Sequence, residues 1–487
     1  LTTQFVPDSA APQPGLAGSV NNHAVGPTGP LKPVPCVRRR DGIGGTLAFR
    51  RDPLSFLRGG LDKHGDIFKF RVLGVPLTLI NHPDAVRHVL VENSENYDKN
   101  NLLYNIARVG LRTGLIANPG GEHWRRQRKL MNPSFLPRSV AHFARIMVDE
   151  SNAVVDDWER TQRAGTPIDV GTELGELVLR IVMKSVFSVE SGSTVDLQRI
   201  FHELNTRFAN YLKFPFPPLF VPMPRHARIR KLIRDADDRV FGLIRERLDG
   251  GTASGGAVDT TEPDLLSLLM AATYEESGGH MTIEHLQHEV GNILTGAFDT
   301  TTNTVAWLFY LLARHPVAQQ RLFDEVDAVC AGRLPSYDDL PKLKFLRMAI
   351  DETMRMYPPG YQIMRRAIQD DVLLDHHVPA NSNVLVNTYL LHRHAAFWSH
   401  PESFDPDRFS AEETAKRPKH VYAPFGAGPR ICIGKYFALT ELCLIIATIS
   451  QRFRLELQPG APAVEVEPLI TLNARGGIHL QLEARQR

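Results

Sequence analysis

The chain has 487 residues, 43% of them hydrophobic and 23% charged, with a formal net charge of +2. That mix belongs to a globular protein with a large core, and its near-neutral balance excludes a general electrostatic affinity for nucleic acid. Cys36, Cys330, Cys432 and Cys443 lie too far apart for a disulfide framework or a C-x-x-C metal pair, so a reducing compartment is expected.

Residues 1–45 read as a proline-rich lead-in to one domain over 46–487; the first 35 residues hold seven prolines and almost no charge. No apolar run approaches the roughly 20 residues of a membrane span, which suggests a soluble, cytoplasmic protein, with an anchor upstream of Leu1 left open. Asp66–Val72 and Pro76–Ile80 flank a Leu-Gly-Val turn and predict a hairpin. Pro83 opens a short helix to Val91. Residues 93–121 are punctuated by glycine and show no sustained period, so irregular chain is expected there. His123–Met131 predicts a basic helix with Trp124 and Arg128 on one face. Amphipathic helices follow from Val140 to Asp249, with one apolar, proline-rich break at 213–224 that fits a cap over something greasy. Gly250–Gly256 reads as a surface linker.

The longest predicted helix runs from an N-cap at Thr282 to His315, about 50 Å at 1.5 Å per residue. Its middle, Leu294–Thr302, holds glycine and three successive threonines, poor helix formers whose hydroxyls compete for backbone bonds, so a functional bend is expected. His285 and His288 sit one turn apart without a third ligand and read as solvated or core histidines, as do His392 and His394. Asp351–Pro359 is a helix stopped by its prolines, with Glu352 and Arg355 on one face. Val464–Ile470 and Ile478–Leu482 read as strands of a terminal hairpin around Thr471–Gly477. The fold class expected is mainly α with a small β-sheet region.

The most informative stretch is Ala423–Gly434, with Phe425, Gly428, Arg430, Cys432 and Gly434 in the spacing F-x-x-G-x-R-x-C-x-G. Glycines at 426, 428 and 434 allow positive φ around the cysteine. A helical run begins at Lys435, so Cys432 lies at a helix N-terminus, where free N–H groups favour a thiolate, a good axial ligand for heme iron. A buried structural cysteine explains Cys36, Cys330 and Cys443, but not five fixed residue types in ten positions. The stretch resembles the heme-binding loop of the cytochrome P-450 family, the heme-thiolate monooxygenases, in its fatty-acid-hydroxylase and microsomal-like branch.

The resemblance implies the fold of that family, with a long central helix over heme b and Cys432 as axial thiolate. It carries Trp124 and Arg128 over as propionate contacts, joined by Arg430 and by Arg366, with Arg365 beside it as a rival. Phe425 and Gly434 complete the cofactor loop. Gly296–Thr300 matches the A/G-G-x-D/E-T motif, with Asp299 and Thr300 as the proton-delivering pair and Ala297 in place of the second glycine. Glu352, Arg355 and Arg408 match a structural Glu–Arg–Arg network. The chain from 93 to 121 matches a loop that covers substrate, and the lining expected is Tyr104, Leu111, Ala297, Phe298, Ile363, Met364, Leu469 and Ile470. The implied partners are O2, a hydrophobic substrate such as a fatty acid, terpenoid or steroid, and a separate donor, either ferredoxin with its reductase or a flavoprotein reductase. Arg125, Arg126 and Lys129 read as a docking patch for that donor or as a solvated face. No nucleic acid is expected, and a monomer is. The alternatives are a peroxide-driven or rearranging heme-thiolate enzyme, and a non-catalytic heme sensor or carrier.

Overall fold

A computed structural model describes residues 31–37, 42–161, 163, 165–188, 194–213, 219, 221–248, 264–274 and 278–485. The linker expected at Gly250–Gly256 and half of the apolar break at 213–224 lie outside the described residues. Helices dominate, and the largest sheet has five strands in the order 67–72, 75–80, 383–387, 362–367, 97–98. The expected hairpin is present: Ile67–Val72 pairs antiparallel with Val75–Ile80, in register from Ile67 opposite Ile80. The turn between them carries positive φ at Leu73 and Gly74. The end of the proline-rich stretch is tied in rather than trailing. Lys32–Pro33 pairs with His376–His377, while Val37 N–H donates to the Lys69 carbonyl and Lys69 N–H donates to the Pro35 carbonyl.

Ile283–Arg314 is a single helix of 32 residues, about 48 Å long. Thr282 caps it by accepting from the His285 N–H, and it ends at His315, before Pro316. The expected bend does not interrupt it. The hydroxyls of Thr295, Thr300, Thr302 and Thr304 bond to carbonyls four residues back, so they satisfy themselves on the helix without opening it. Val170–Phe187 packs along this helix at Gly175, where an added methyl would lie 3.4 Å from Thr302 and 3.6 Å from Phe298. Lys435–Arg452 is buried almost all round, as a helix in the centre of a core must be.

Two sequence expectations change. Residues 93–121 contain a helix, Leu102–Leu111, capped by Asn101 accepting from the Tyr104 N–H. Its Ile106 and Val109, three apart, pack on a cluster of Tyr211, Leu219, Ile229 and Ile233, the partners of an apolar helical face that begins at Leu102. The terminal hairpin also has another register. Val466–Pro468 pairs with Leu472–Ala474, which moves the tip to residues 469–471. His479–Ala484 instead pairs with Phe453–Glu456 and Pro167–Asp169.

Glu352, Arg355 and Arg408 come together beneath the segment leading to Cys432. Glu352 and Arg355 are fully buried and joined by two hydrogen bonds of 2.6 and 2.8 Å. Arg355 also donates to the carbonyls of His392, Pro401 and Ser403, and Asp405 N–H donates to Glu352. Arg408 Nε stands 3.4 Å from Glu352 Oε1, an ion contact without hydrogen-bond geometry, while its other nitrogens reach the carbonyls of Ser399 and His400. Truncating one partner strands the other's charge in the interior, which costs about 3–5 kcal/mol. Arg355→Met is therefore expected to lower the thermal midpoint by several degrees and Arg321→Met, at an exposed ion pair with Asp407, to leave it nearly unchanged; thermal unfolding followed by circular dichroism reads both.

Candidate active site

The cysteine loop is held by close backbone packing. Cys432 N–H donates to the Phe425 carbonyl at 2.9 Å, and Gly426 and Gly428 adopt φ of 71° and 67°. Gly434 differs from expectation: its φ is −81°, and it serves as N-cap of Lys435–Arg452. Gly428 has a further reason to be glycine, because a Cβ there would stand 1.8 Å from the Leu90 carbonyl oxygen. That carbonyl belongs to a single π-helical turn, His88–Glu92, so this turn and the loop fix one another. Cys432 has accessible surface although protein surrounds it at longer range, the combination produced by a side chain facing an internal recess. Burial pushes its thiol up, against the opposing pull of the Gly434 N–H, Arg128 and Lys435. In the protein alone, desolvation thus outweighs the helix N-terminus.

Around this recess the fold assembles cations. Arg128 is half-buried on Gly121–Met131 and feels the charge of Cys432, and Trp124 on the same helix is buried. The Arg430 guanidinium lies 4.2 Å from the Trp124 ring centre and donates to the carbonyls of Asn118 and Pro119. Gly120 leaves room for it, since a Cβ there would be 2.7 Å from Arg430 Nη2. Lys99 donates to the Ile116 carbonyl at 2.7 Å and is held well below the ordinary lysine range by burial and by Arg365, Arg430, Arg128 and Arg108. Burial and then Arg365 lower Arg430 to about 10. Among the described residues, none of Lys99, Arg128, Arg365 and Arg430 makes an ion pair with a carboxylate.

Arg365, and not Arg366, is the strand residue directed here. Successive side chains of Gln362–Ala367 point to opposite faces. Arg366 is consequently outside the cluster, paired at 2.7 Å with Asp98, its cross-strand neighbour. Arg365 is buried, interacts with Tyr104, and has its pKa lowered by burial. The same alternation separates two expected lining residues. Ile363 stands 3.7 Å from the position of a Cβ on Gly426, beside the cysteine loop, whereas Met364 packs on the far face with Leu57, Phe68 and Leu385.

On the central helix, Gly296 meets Ile116 and Ala297 borders the main core, but Phe298 turns toward Gly175 and helix Val170–Phe187. Phe298 therefore fills a helix–helix contact instead of lining the recess. Thr300 Oγ1 bonds to the Gly296 carbonyl at 2.7 Å, and Asp299 accepts from the Thr471 hydroxyl. Leu111 offers its carbonyl to Asn292 at 2.9 Å, Leu469 offers its carbonyl to Tyr361, and Ile470 is exposed. The segment over the central helix is latched by buried Glu289, which accepts from Leu115 N–H and Gln127 and is raised by burial to about 7. Of the expected docking patch, Arg125 pairs with Glu95 and Arg126 sits 5.3 Å from the Tyr274 ring centre, so these two are engaged by the protein itself. His288 bonds to Thr113, and the His285 ring lies tilted against that of His123 with centres 5.4 Å apart; among the described residues no group of three potential metal ligands occurs.

Three contributors escaped the sequence reading. Lys99 lies in a polar stretch without a motif, and Gly120 is legible only from the approach of Arg430. His392 is fully buried, and its Nε2 accepts from Ala423 N–H at 3.0 Å, anchoring the start of the cysteine loop. Burial, then Arg355 and Arg393, lower His392 to about 3. Between that value and the ordinary 6.5 the unfolded chain binds the extra proton, so this contribution to stability is present above pH 6.5 and is lost as pH falls toward about 3. His392→Gln, which keeps an acceptor, should flatten the loss of stability across that window in chemical denaturation; an unchanged pH slope would contradict a neutral His392.

The chain belongs to the cytochrome P-450 family, whose family model matches residues 42–480 and which implies heme held by a cysteine thiolate. It is 34% identical to cyclooctatin synthase of Streptomyces melanosporofaciens, over 88% of this chain and 91% of that protein. It is 32% identical to cyclooctat-9-en-7-ol 5-monooxygenase of the same organism, over 86% and 88%. Among solved structures, the cytochrome P-450DA heme domain superposes with a TM-score of 0.82 and 26% identity, covering 94% of this chain and 99% of that one. Among the described residues, no helix is long and apolar enough to cross a membrane.

Proposed function

We propose that the chain is a heme-dependent monooxygenase that places one oxygen atom of O2 into a C–H bond or double bond of a bulky apolar molecule of terpenoid type, with Cys432 as the iron ligand. The observation that carries this reading is the grouping itself: an accessible Cys432 whose charge reaches Arg128, and Arg128 in turn within a cluster of cations without carboxylate partners. Heme b fits that chemistry, because it brings an iron that takes a thiolate and two carboxylates that need cations. Arg128, Arg365, Arg430, Lys99 and the Trp124 indole N–H are the groups to hold those carboxylates.

When bound, the heme supplies O2 binding and oxygen-atom transfer. The chain's own residues orient it and control water and protons. Glu289 and Asn292 hold the 111–118 segment onto the central helix through Leu115 and Ile116, which closes that side against water. Asp299 relays protons inward, and Thr300 Oγ1, now donating to Gly296, presents its hydroxyl at the centre of the helix. Electrons come from a separate donor protein on the cysteine side. The terpenoid choice is supported by the relative whose name specifies cyclooctat-9-en-7-ol.

Two experiments test the reading. Turnover with a surrogate ferredoxin and reductase under 18O2 should label a product from a terpenoid panel at one atom per molecule; product formed only with peroxide would replace this reading by the peroxide-driven one. In gel filtration, Arg365→Leu should lower heme retention about tenfold, the loss of one charge-assisted contact, while Arg366→Leu retains it. Equal losses would remove Arg365 from the site.

A further inference from the structure

Thr471 stands at the end of the terminal hairpin tip and is buried against the centre of the long helix. Its hydroxyl contacts three side chains. It accepts from Asn303 Nδ2 at 3.2 Å and from Asn473 Nδ2 at 2.9 Å. Those two bonds use both lone pairs, so the single hydroxyl proton goes to the third partner, Asp299 Oδ2. Asn303 lies one turn beyond Asp299, and Asn473 lies on the returning strand, so the network spans helix and hairpin. The hairpin is fastened on both sides: Trp307 Nε1 donates to the Leu472 carbonyl at 3.1 Å, and Tyr361 donates to the Leu469 carbonyl at 2.9 Å.

We propose that Thr471 is a positioning residue that holds the Asp299 carboxylate on the hairpin and so limits proton entry until the hairpin shifts. The inference rests on the monooxygenase reading of Asp299 and Thr300. While Thr471 donates to it, Oδ2 is committed to an acceptor's role. Released, the carboxylate takes a proton from solvent, passes it toward the Thr300 hydroxyl, and returns to its charged form, with no net change in the protein. The tip residues Leu469 and Ile470 adjoin Thr471 directly, so a molecule pressing on the tip moves one of the groups that hold the acid.

The test compares wild type, Thr471→Val, which keeps shape without the hydroxyl, and Thr471→Ser, which keeps the hydroxyl, each as the full heme-loaded chain. With a surrogate ferredoxin and reductase and no substrate, Thr471→Val should consume reductant about fivefold faster, with a smaller solvent deuterium isotope effect, and Thr471→Ser should match wild type. Backbone hydrogen exchange over 466–474 should quicken in the valine variant alone. A valine variant within twofold of wild type in both readouts, or a serine variant as fast as valine, would overturn the proposal. The reduced carbon-monoxide spectrum of all three separates the readings: loss of a thiolate band in wild type sinks the enzyme assignment, and hydrogen exchange, which needs no heme, then decides whether Thr471 fastens the hairpin.

Discussion

Like charges gathered inside a protein are unfavourable unless something opposite lies between them, and the cost per buried ion is several kcal/mol. Lys99, Arg128, Arg365 and Arg430 come together from four separate segments of the chain, and Lys99, Arg365 and Arg430 each donate to a backbone carbonyl. The depressed pKa values of Lys99, Arg365 and Arg430 share one leading cause, burial, and mutual repulsion adds to it for Lys99 and Arg430. The two carboxylates of the proposed heme would offset this repulsion. The cysteine loop, the basic helix and the strand bearing Arg365 would serve that heme.

The two sides of the recess are built differently. On the cysteine side, contacts are close and buried: Gly428 against Leu90, His392 on Ala423, and Glu352 with Arg355 beneath the approach to the loop. These leave little freedom, which would suit Cys432 as the proposed iron ligand. On the opposite side, the central helix meets a loop and a hairpin through side-chain hydrogen bonds: Glu289 to Leu115, Asn292 to Ile116, and Asp299 to Thr471. Such contacts exchange more readily than packed backbone.

How much of this was legible in the sequence depended on the range of each interaction. The central helix, its cap at Thr282 and the first hairpin follow from local signals, and the structure contains them with nearly the expected bounds. The cysteine loop was legible because five residue types recur at fixed spacing within one turn-rich segment. Leu102–Leu111 was legible too, with Leu102, Ile106 and Val109 at i, i+4 and i+7 behind the cap at Asn101, and the glycines around it obscured the pattern. The choice between Arg365 and Arg366 could not be made from adjacency alone; it needed the pairing of Asp98 with Arg366, which fixes the strand's faces. Phe298 and Met364 failed as lining for the same reason, since being apolar near a motif does not say which way a side chain points. The roles of Thr471 and His392 lie beyond any local pattern, because each acts through a partner on another element.

The most direct measurement of the central claim is the visible spectrum of the reduced, carbon-monoxide-bound protein, in wild type and in Cys432→Ser. The account requires a strongly red-shifted Soret band in wild type that disappears in the variant, while circular dichroism shows the fold retained. An unshifted band in wild type, or a red-shifted band that survives without the sulfur of Cys432, would contradict it.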